Sequence, residues 1–275
     1  DVPVASFVAS EECLTDSTVF TNQSTVAVGA LSYQWHFGDG AQSTNENPKH
    51  LYANPGIYSV QLVVTSIYGI TDQINKTVKV NPNPIAGFYF NETCDTIAVK
   101  LENTSYITQG QVQYLWHFGD DDTSSIFDPS HLYDSSGIYT VRLIATSNFG
   151  CADSHIQNLT VHPRPEVDFS NDVVCIGGET GFYNESTISL GIIDSYLWDF
   201  GDEVNSIVEN PSHQYDSNGL YNVMLTTTSD FGCKSSFSKT AQVFEMPYVD
   251  FDFVNVCFGA AIPFKNQSSI QQSVL

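Results

Sequence analysis

The eight residues from Tyr33 to Gly40 read YQWHFGDG and place a Trp, a His and an Asp close together. The pattern returns as YLWHFGDD from Tyr114 and as YLWDFGDE from Tyr196. In a single copy, this mixture of residues would be compatible with a catalytic loop or a metal site. Three copies at nearly equal spacing indicate an internal structural repeat instead.

The repeat extends well beyond this motif. Its tryptophans are almost equally spaced, at positions 35, 116 and 198. Each is followed by an Asn/Asp-Pro-x-His-x-Tyr segment and then by a Gly-x-Tyr-x-Val-x-Leu segment, and proline-containing junctions separate the copies. We predict three full repeats and the beginning of a fourth, and we therefore expect the native chain to continue past Leu275. The predicted boundaries are residues 1–81, 82–163, 164–245 and 246–275.

Apolar and polar residues alternate within each copy, as they do in a half-buried β-strand. In the stretch GIYTVRLIATS from Gly137, Tyr139, Val141 and Leu143 share one face, and the residues between them share the other. Clusters of Gly, Pro and Asn interrupt the alternation roughly every 8–12 residues, as in β-sandwiches. The predicted fold class is all-β: immunoglobulin-like antiparallel β-sandwiches in a tandem, head-to-tail array.

The same alternation assigns positions within the opening motif. The side chains of Tyr33, Trp35 and Phe37 are predicted to face the core, and those of Gln34 and His36 to face outward. The Gly-Asp pair that follows ends the strand, because Gly permits a tight turn and the Asp side chain accepts a bond from nearby amides. The predicted core and turn residues are Trp35, Trp116, Trp198, Asp39, Asp120 and Asp202.

Composition excludes several classes of partner. The chain of 275 residues carries 31 acidic and 9 basic residues, a formal net charge of −22. Nucleic acids and anionic membrane surfaces bind clustered Lys and Arg, so neither is expected as a partner. No apolar run approaches the ~20 residues that a membrane-spanning helix needs. The low share of charged residues, 15%, is typical of exported β-proteins.

Histidine at two positions of the repeat is a candidate for chemistry. The first position holds His36 and His117 but Asp199 in the third copy, so a surface role is predicted. The second position is constant, but its histidines lie in separate domains and each domain offers too few ligands for zinc. A local hydrogen-bonding role is predicted for His50, His131 and His213. No hydrolase or nucleotide-binding motif occurs, and the segment is interpreted as non-enzymatic.

These residues resemble the PKD (polycystic kidney disease-type) domain, an immunoglobulin-like sandwich of about 80 residues. Its signature combines W-x-F-G-D-G, N-P-x-H-x-Y and G-x-Y-x-V-x-L, and the three parts occur in order in all three full repeats. Asp121 and Glu203 replace the last Gly of the first part in the second and third copies. The resemblance implies a tyrosine corner in each domain, formed by Tyr58, Tyr139 and Tyr221.

The resemblance also concerns the array. The Cys before strand B and the Gly-Cys after strand F look like PKD arrays in large secreted proteins of Bacteroidetes-type bacteria. Such arrays are similar to stalks of adhesins, gliding-motility proteins and accessory regions of secreted hydrolases. The resemblance therefore implies an extracellular protein, secreted or at the cell surface, whose partners are neighbouring PKD domains and other surface proteins or glycans.

Calcium is the one cofactor that the resemblance suggests, because some PKD domains bind it. The densest acidic turn holds Asp120, Asp121 and Asp122. Calcium requires six to eight oxygen ligands, and the EF-hand spacing is absent. Solvated acidic residues in a turn are the alternative, so no firm metal site and no cofactor are predicted.

The six cysteines occupy two positions of the repeat. The corresponding second position of the first repeat holds Ile70. Disulfides within domains or between domains would both imply an oxidising compartment. The cysteines before strand B are Cys13, Cys94, Cys175 and Cys257, and those after strand F are Cys151 and Cys233.

Two pairing schemes are open. In an immunoglobulin-like sandwich the A–B and F–G turns lie at opposite ends, farther apart than the roughly 7 Å that a disulfide permits. In a head-to-tail array the F–G end of one domain abuts the A–B end of the domain before it, which favours bonds between domains and explains Ile70. Pairing within domains would give Cys94–Cys151 and Cys175–Cys233. The favoured scheme is Cys13–Cys151 and Cys94–Cys233, with partners of Cys175 and Cys257 beyond the chain.

Four Asn-x-Ser/Thr sequons also follow the repeat, and this regularity indicates a turn at the end of strand B rather than a glycosylation signal. They begin at Asn22, Asn103, Asn184 and Asn266.

The expected function is that of a rigid stalk, spacer or fibre in a surface adhesin or motility protein. The alternatives are a module that binds a glycan or protein ligand, and an accessory region of a secreted protease or glycosidase.

Overall fold

The computed structural model describes residues 1–270. The regular elements assigned in these residues are all β-strands, which confirms the all-β prediction. The residues group into two compact units. The first unit comprises Asp1–Glu92, Ala98–Tyr133 and Ile138–Thr160, and the second comprises Thr93–Ile97, Asp134–Gly137 and the residues from Val161 onward.

The first repeat folds as two sheets. One sheet has the order β1-β3-β6, and the other has the order β2-β8-β7-β4-β5. All pairings are antiparallel except that of β2 with β8. The strands are β1 (Phe7–Ala9), β2 (Glu12–Cys13), β3 (Thr18–Asn22), β4 (Leu31–His36), β5 (Gln42–Ser43), β6 (Lys49–His50), β7 (Gly56–Ser66) and β8 (Thr71–Asn81).

The second repeat has the same strands, with the strand after β10 divided into two short pieces. Its five-stranded sheet has the order β10-β17-β16-β13-β14, and β9 pairs with β12 and β11 with β15. The strands are β9 (Phe88–Tyr89), β10 (Thr93–Cys94), β11 (Val99–Lys100), β12 (Glu102–Asn103), β13 (Val112–His117), β14 (Thr123–Ser124), β15 (Ser130–His131), β16 (Gly137–Ser147) and β17 (Ala152–His162).

The third repeat returns to the pattern of the first, with sheets β18-β20-β23 and β19-β25-β24-β21-β22. A two-stranded sheet, β26-β27, begins the fourth copy. The strands are β18 (Phe169–Asn171), β19 (Val174–Cys175), β20 (Thr180–Asn184), β21 (Ile193–Asp199), β22 (Asn205–Ser206), β23 (Ser212–His213), β24 (Gly219–Ser229), β25 (Lys234–Phe244), β26 (Phe251–Phe253) and β27 (Phe264–Asn266).

The long hairpins of the larger sheets follow the predicted alternation. In β16 the side chains of Val141 and Leu143 are fully buried, whereas Thr140 and Arg142 are exposed. β7 pairs with β8 over ten residue pairs from Gly56↔Val80 onward. Because one face of these strands is apolar and the other polar, the hairpin can pack only one way round on the opposing sheet.

Each core is built around one tryptophan. The ring of Trp35 is fully buried and lies 5.1 Å from Phe7 and 5.5 Å from Phe20, measured between centroids. Its Nε1 donates to the carbonyl of Asn45 at 2.9 Å, so the one polar atom of the ring is satisfied. Tyr33 is only half-buried and packs at the edge of this core. Trp116 and Trp198 are fully buried as well.

The sequon asparagines make the predicted turns. In the first repeat the Oδ1 of Asn22 accepts a hydrogen bond from the amide of Ser24 at 3.0 Å. This short loop between a side chain and the backbone two residues later ends the strand. The same bond recurs at Asn103, Asn184 and Asn266, at 2.8, 3.1 and 2.9 Å.

Candidate functional site

The turn after the tryptophan strand carries an Asp–His pair. Oδ2 of Asp39 lies 2.7 Å from Nε2 of His50, and Oδ1 accepts the amide of Ala41 at 3.0 Å. The imidazole of His50 stacks on the ring of Phe37 with centroids 4.3 Å apart. It also meets Tyr52 edge-on at 4.5 Å. These contacts join the turn to β6 and fix the histidine on two sides.

Charge and burial shape this pair. Burial by itself would raise the pKa of the Asp39 carboxyl, but the hydrogen bonds from His50 and from the Ala41 amide outweigh it. The pKa of Asp39 therefore lies below its usual value. The Tyr52 hydroxyl donates to the carbonyl of Phe37 at 3.0 Å, and burial, followed by the nearby Asp39 carboxylate, raises the pKa of that phenol.

The other two repeats contain the same arrangement. In the second, His131 lies 2.6 Å from Asp120 and stacks on Phe118 at 4.1 Å. In the third, His213 lies 2.6 Å from Asp202 and stacks on a phenylalanine at 4.3 Å. An imidazole whose Nε2 is bonded to a carboxylate and whose ring is stacked suits structural support. The position after each tryptophan, which was predicted to face outward, is half-buried in the three repeats: His36, His117 and Asp199.

From the sequence we predict a hydrogen-bonding histidine and a turn-forming aspartate but not their contact with each other. A usable signal was present, because Asp39 and His50 are eleven residues apart and the same separation recurs in the other two repeats. A constant separation between two constant polar residues indicates a shared role. Sequence alone does not reveal which atoms meet.

Two glycines of the motif differ in their surroundings. Gly38 has φ of 89°, and a Cβ there would lie 2.6 Å from the carbonyl oxygen of Ser59. Gly40 has φ of 97°, but a Cβ there would meet nothing within 4 Å. Asp121 and Glu203 replace this second glycine and keep its left-handed conformation, with φ of 74° and 72°. A positive φ favours glycine at both positions, but close approach of the backbone requires it only at Gly38.

The acidic turn of the second repeat differs from the predicted calcium set. Ligand atoms of Asp120, Asp122 and His131 lie within 4.8 Å of one another. Asp121, which the sequence analysis grouped with them, is not a member of this cluster. Three protein ligands are few for calcium, which takes six to eight oxygens. The turn therefore stays a candidate for calcium and not a firm site.

The tyrosines of the Gly-x-Tyr segments in the first and third repeats bond back to the preceding loop. The hydroxyl of Tyr58 donates to the carbonyl of Asn54 at 2.7 Å, and that of Tyr221 donates to the carbonyl of Ser217 at 2.8 Å. The ring of Tyr58 also stacks on Tyr52 at 4.0 Å. This is the geometry of a tyrosine corner, a hydroxyl bonded to the backbone a few residues upstream.

A disulfide joins the first and second repeats within the first unit. Cys13 lies in β2, opposite Asn81 at the end of β8, and Cys151 lies in the turn that precedes β17. Their sulfur atoms are 2.04 Å apart and their Cα atoms 5.6 Å apart. Lys79 Nζ lies 4.0 Å from the ring centroid of Phe149 beside this bond. We call these contacts, together with the Asn83–Thr15 hydrogen bond, the first joint.

A second disulfide lies within the second unit, between Cys94 and Cys233, whose Cα atoms are 5.7 Å apart. Beside it, the ring of His162 stacks on Phe231 at 4.0 Å. The guanidinium of Arg164 lies 3.3 Å from the Asp95 carboxylate. We call these contacts the second joint.

The structure thus brings together the two cysteine pairs that the sequence analysis favoured. Cys94 is not bonded to Cys151, and Cys175 is not bonded to Cys233, as the within-domain scheme would require. Cys175 and Cys257 are exposed free thiols in the part of the chain that the structure describes. In the first repeat the carbonyl of Ile70 accepts a hydrogen bond from the amide of Ser66 and closes the turn. In the other two repeats the carbonyls of Cys151 and Cys233 close the same turn by accepting from Ser147 and Ser229, respectively.

The family of PKD domains matches residues 1–82, 81–161 and 162–244 of this chain. The chain belongs to the PKD domain family. This confirms the resemblance drawn from the three signature segments, and the protein is a tandem array of PKD repeats. In residues 1–270 there is no helix long and apolar enough to cross a bilayer.

Similar PKD proteins come from bacteria and animals. The pre-pro-metalloprotease PrtV of Vibrio cholerae serotype O1 is 31% identical over 133 residues, which are 48% of this chain and 14% of PrtV. Human polycystin-1 is 24% identical over 213 residues, 73% of this chain and 5% of polycystin-1. The crystal structure of the PKD1 domain of Vibrio anguillarum Epp is 36% identical, covering 29% of this chain and 94% of that domain, with a TM-score of 0.28. The match therefore spans only a small part of the two long relatives, PrtV and polycystin-1.

Proposed function

We propose that this chain is a non-catalytic, extracellular spacer, a stiff segment that holds another part of the protein away from its anchor. The observation that carries the proposal is the pair of disulfides that link consecutive repeats. Covalent bonds between domains restrict the bending that single linkers allow. The net charge of −22 supports the same role, because like charges keep neighbouring copies apart.

Small-angle X-ray scattering of the oxidised chain tests this proposal. We expect a narrow distribution of maximum dimensions for the natural chain. A variant with Cys13→Ser and Cys94→Ser should give a broader distribution with more compact members, because both joints then depend on non-covalent contacts. Equal distributions for the two proteins would show that the disulfides do not stiffen the array and would contradict a rigid spacer.

The spacer would continue through Cys175 and Cys257. Cys175 lies in β19 opposite Phe244, the register that Cys13 has opposite Asn81. We propose that both thiols bond to cysteines of further repeats, in the turns that correspond to the turn holding Cys151 before β17. Peptide mapping of the secreted, full-length protein under non-reducing conditions should show a cross-linked peptide for each. Quantitative alkylation of Cys175 in that protein would contradict the proposal.

A second candidate is an accessory region of a secreted protease, favoured by the 31% identity to part of a metalloprotease. In that case the full gene should encode a catalytic domain with a zinc-binding motif such as H-E-x-x-H. A full gene with only further repeats and a surface anchor would favour the spacer. Both candidates place the chain outside the cell, in agreement with the two disulfides.

A further inference from the structure

The two disulfides overlap along the sequence. The first closes a loop of 138 residues from Cys13 to Cys151, and the second closes a loop of 139 residues from Cys94 to Cys233. Cys94 therefore lies inside the first loop, and Cys151 lies inside the second. Two overlapping bonds connect the chain in a way that two successive bonds would not.

Three covalent routes consequently lead from Cys13 to Cys233 across these bonds. One crosses the first bond and follows the chain forward from Cys151 to Cys233. Another follows the chain from Cys13 to Cys94 and crosses the second bond. The shortest crosses both bonds and runs backward from Cys151 to Cys94. Without either bond, the only route is the whole chain between Cys13 and Cys233.

We propose that these bonds make the array a tether of limited length, which stays short even when every repeat is unfolded. An extended chain spans about 3.5 Å per residue. The part between Cys13 and Cys233 can then extend to about 200 Å with both bonds and to about 770 Å with neither. This property goes beyond a spacer role and holds whether or not the folded array is stiff.

The overlap makes the two bonds interdependent. Removal of either bond leaves one of the two intermediate routes, so the limit rises only to about 285 Å. Removal of both bonds raises the limit to about 770 Å, a much larger change. Each bond therefore substitutes for the other, and a single reduced bond leaves the tether largely intact.

The shortest route also determines which part of the fold is loaded first. Cys151 immediately precedes β17, and Cys94 lies beside the other end of that strand, in register with His162. The shortest route itself runs through residues 94–151, which hold β11 to β16, so these strands carry the tension, whereas β17 belongs to the longer route from Cys151 to Cys233. The first and third repeats lie on the two longer routes, which are slack when the shortest route is taut. Most of their residues are thereby shielded from tension.

Single-molecule stretching of the whole 275-residue chain, held at its two ends, tests the proposal. Four proteins are compared, all with Cys175→Ser and Cys257→Ser to prevent unwanted pairing: the parent, Cys13→Ser with Cys151→Ser, Cys94→Ser with Cys233→Ser, and all four changes together. The segment between residues 13 and 233 should reach about 200, about 285, about 285 and about 770 Å, respectively.

The pattern of these lengths decides the outcome. Two nearly equal, small increases for the two pairs and a much larger one for their combination support the proposal. Equal and additive increases would overturn it, as would an unchanged length after loss of Cys13 and Cys151. The fully unfolded length is the quantity read, so a variant that folds poorly still gives a decisive result.

Discussion

At the first joint Lys79 covers the ring of Phe149, whereas at the second joint His162 stacks on Phe231. The disulfide and the phenylalanine two residues before its second cysteine are common to both joints, but the side chain that covers the phenylalanine differs. Inside the repeats the contacts are the same in each copy: every tryptophan donates to a carbonyl ten residues ahead, at 2.9–3.0 Å. The difference indicates that the interior depends on fixed packing geometry, while a covalent bond at each joint lets the surrounding contacts vary.

The strongest test of the interior is Trp116→Ala. Loss of a fully buried indole should lower the free energy of unfolding of the second repeat by about 3–5 kcal/mol. Urea denaturation followed by circular dichroism measures the change. The matched control is Leu115→Ala, since Leu115 precedes it on β13 and is 41% exposed, and the expected loss there is below about 0.5 kcal/mol. Similar losses for the two variants would contradict a tryptophan-centred core.

The next largest effect should come from Gly38→Ala. Its Cβ would press against the Ser59 backbone in addition to adopting a positive φ, so we expect a loss of more than about 2 kcal/mol. Gly40→Ala has the same conformational cost without the clash, and about 1 kcal/mol is expected. Thermal denaturation of the two variants compares them directly. A Gly40 variant as unstable as the Gly38 variant would mean that φ alone matters.

Asp39→Asn tests the Asp–His pair. The pKa of Asp39 is lowered in the folded state, so its contribution is present above the unfolded carboxyl pKa of about 3.9 and is lost as the pH falls through the lower folded value. We expect the variant to be about 1 kcal/mol less stable at pH 7 and equal to the parent at the acid end. Unfolding free energies measured from pH 2 to 7 show this. A constant difference across that range would exclude the ionic contribution.

The joints should respond less than the interior. With the disulfides intact, Phe149→Ala removes a cation–π contact between two half-buried side chains, worth about 1 kcal/mol. Phe231→Ala at the second joint is the matched comparison. Differential scanning calorimetry of both variants should show small shifts of similar size. A loss of about 3 kcal/mol or more at either position, as expected for a buried aromatic ring, would mean that the joints depend on specific packing after all.

The smallest effect is a gain. Asp121→Gly replaces a non-glycine residue at φ of 74° by the residue found at Gly40, which should stabilise the second repeat by about 0.5–1 kcal/mol. Glu203→Gly in the third repeat is expected to behave in the same way. Denaturant titration without added calcium measures both. A destabilised Asp121 variant would show that its carboxylate has a role in the turn.

How much of this fold the sequence predicts depends on whether a feature produces a periodic pattern of apolar and polar residues. Apolar and polar residues alternate clearly in the tryptophan strand and in the long hairpins. The strands and their buried faces were therefore predictable, for example at Trp35 and Val141. β2 is only two residues long, Glu12–Cys13, and no periodicity reveals so short a strand. Its parallel pairing with β8 is a contact between distant parts of the chain.

The candidate sites show the same limit. That Asp39 and His50 matter was visible from their repetition, but their contact depends on how the turn folds against β6. The acidic turn differs from the predicted set for a related reason: adjacent carboxylates diverge when one of them, Asp121, adopts a left-handed conformation. The cysteine pairs follow from the order of repeats in space, which a repeated sequence suggests but does not specify.

The turn that follows β12 has a practical consequence for making this protein. Asn103 is buried, its Oδ1 is bonded to Ser105, and its Nδ2 has no contact with solvent. The nitrogen that an oligosaccharide would modify is therefore inaccessible once the second repeat has folded. In a secretory host that glycosylates nascent chains, a sugar attached to Asn103 before folding would conflict with this burial, and removal of the sequon at Ser105 would cost the hydrogen bonds that its hydroxyl makes with the Gly87 backbone.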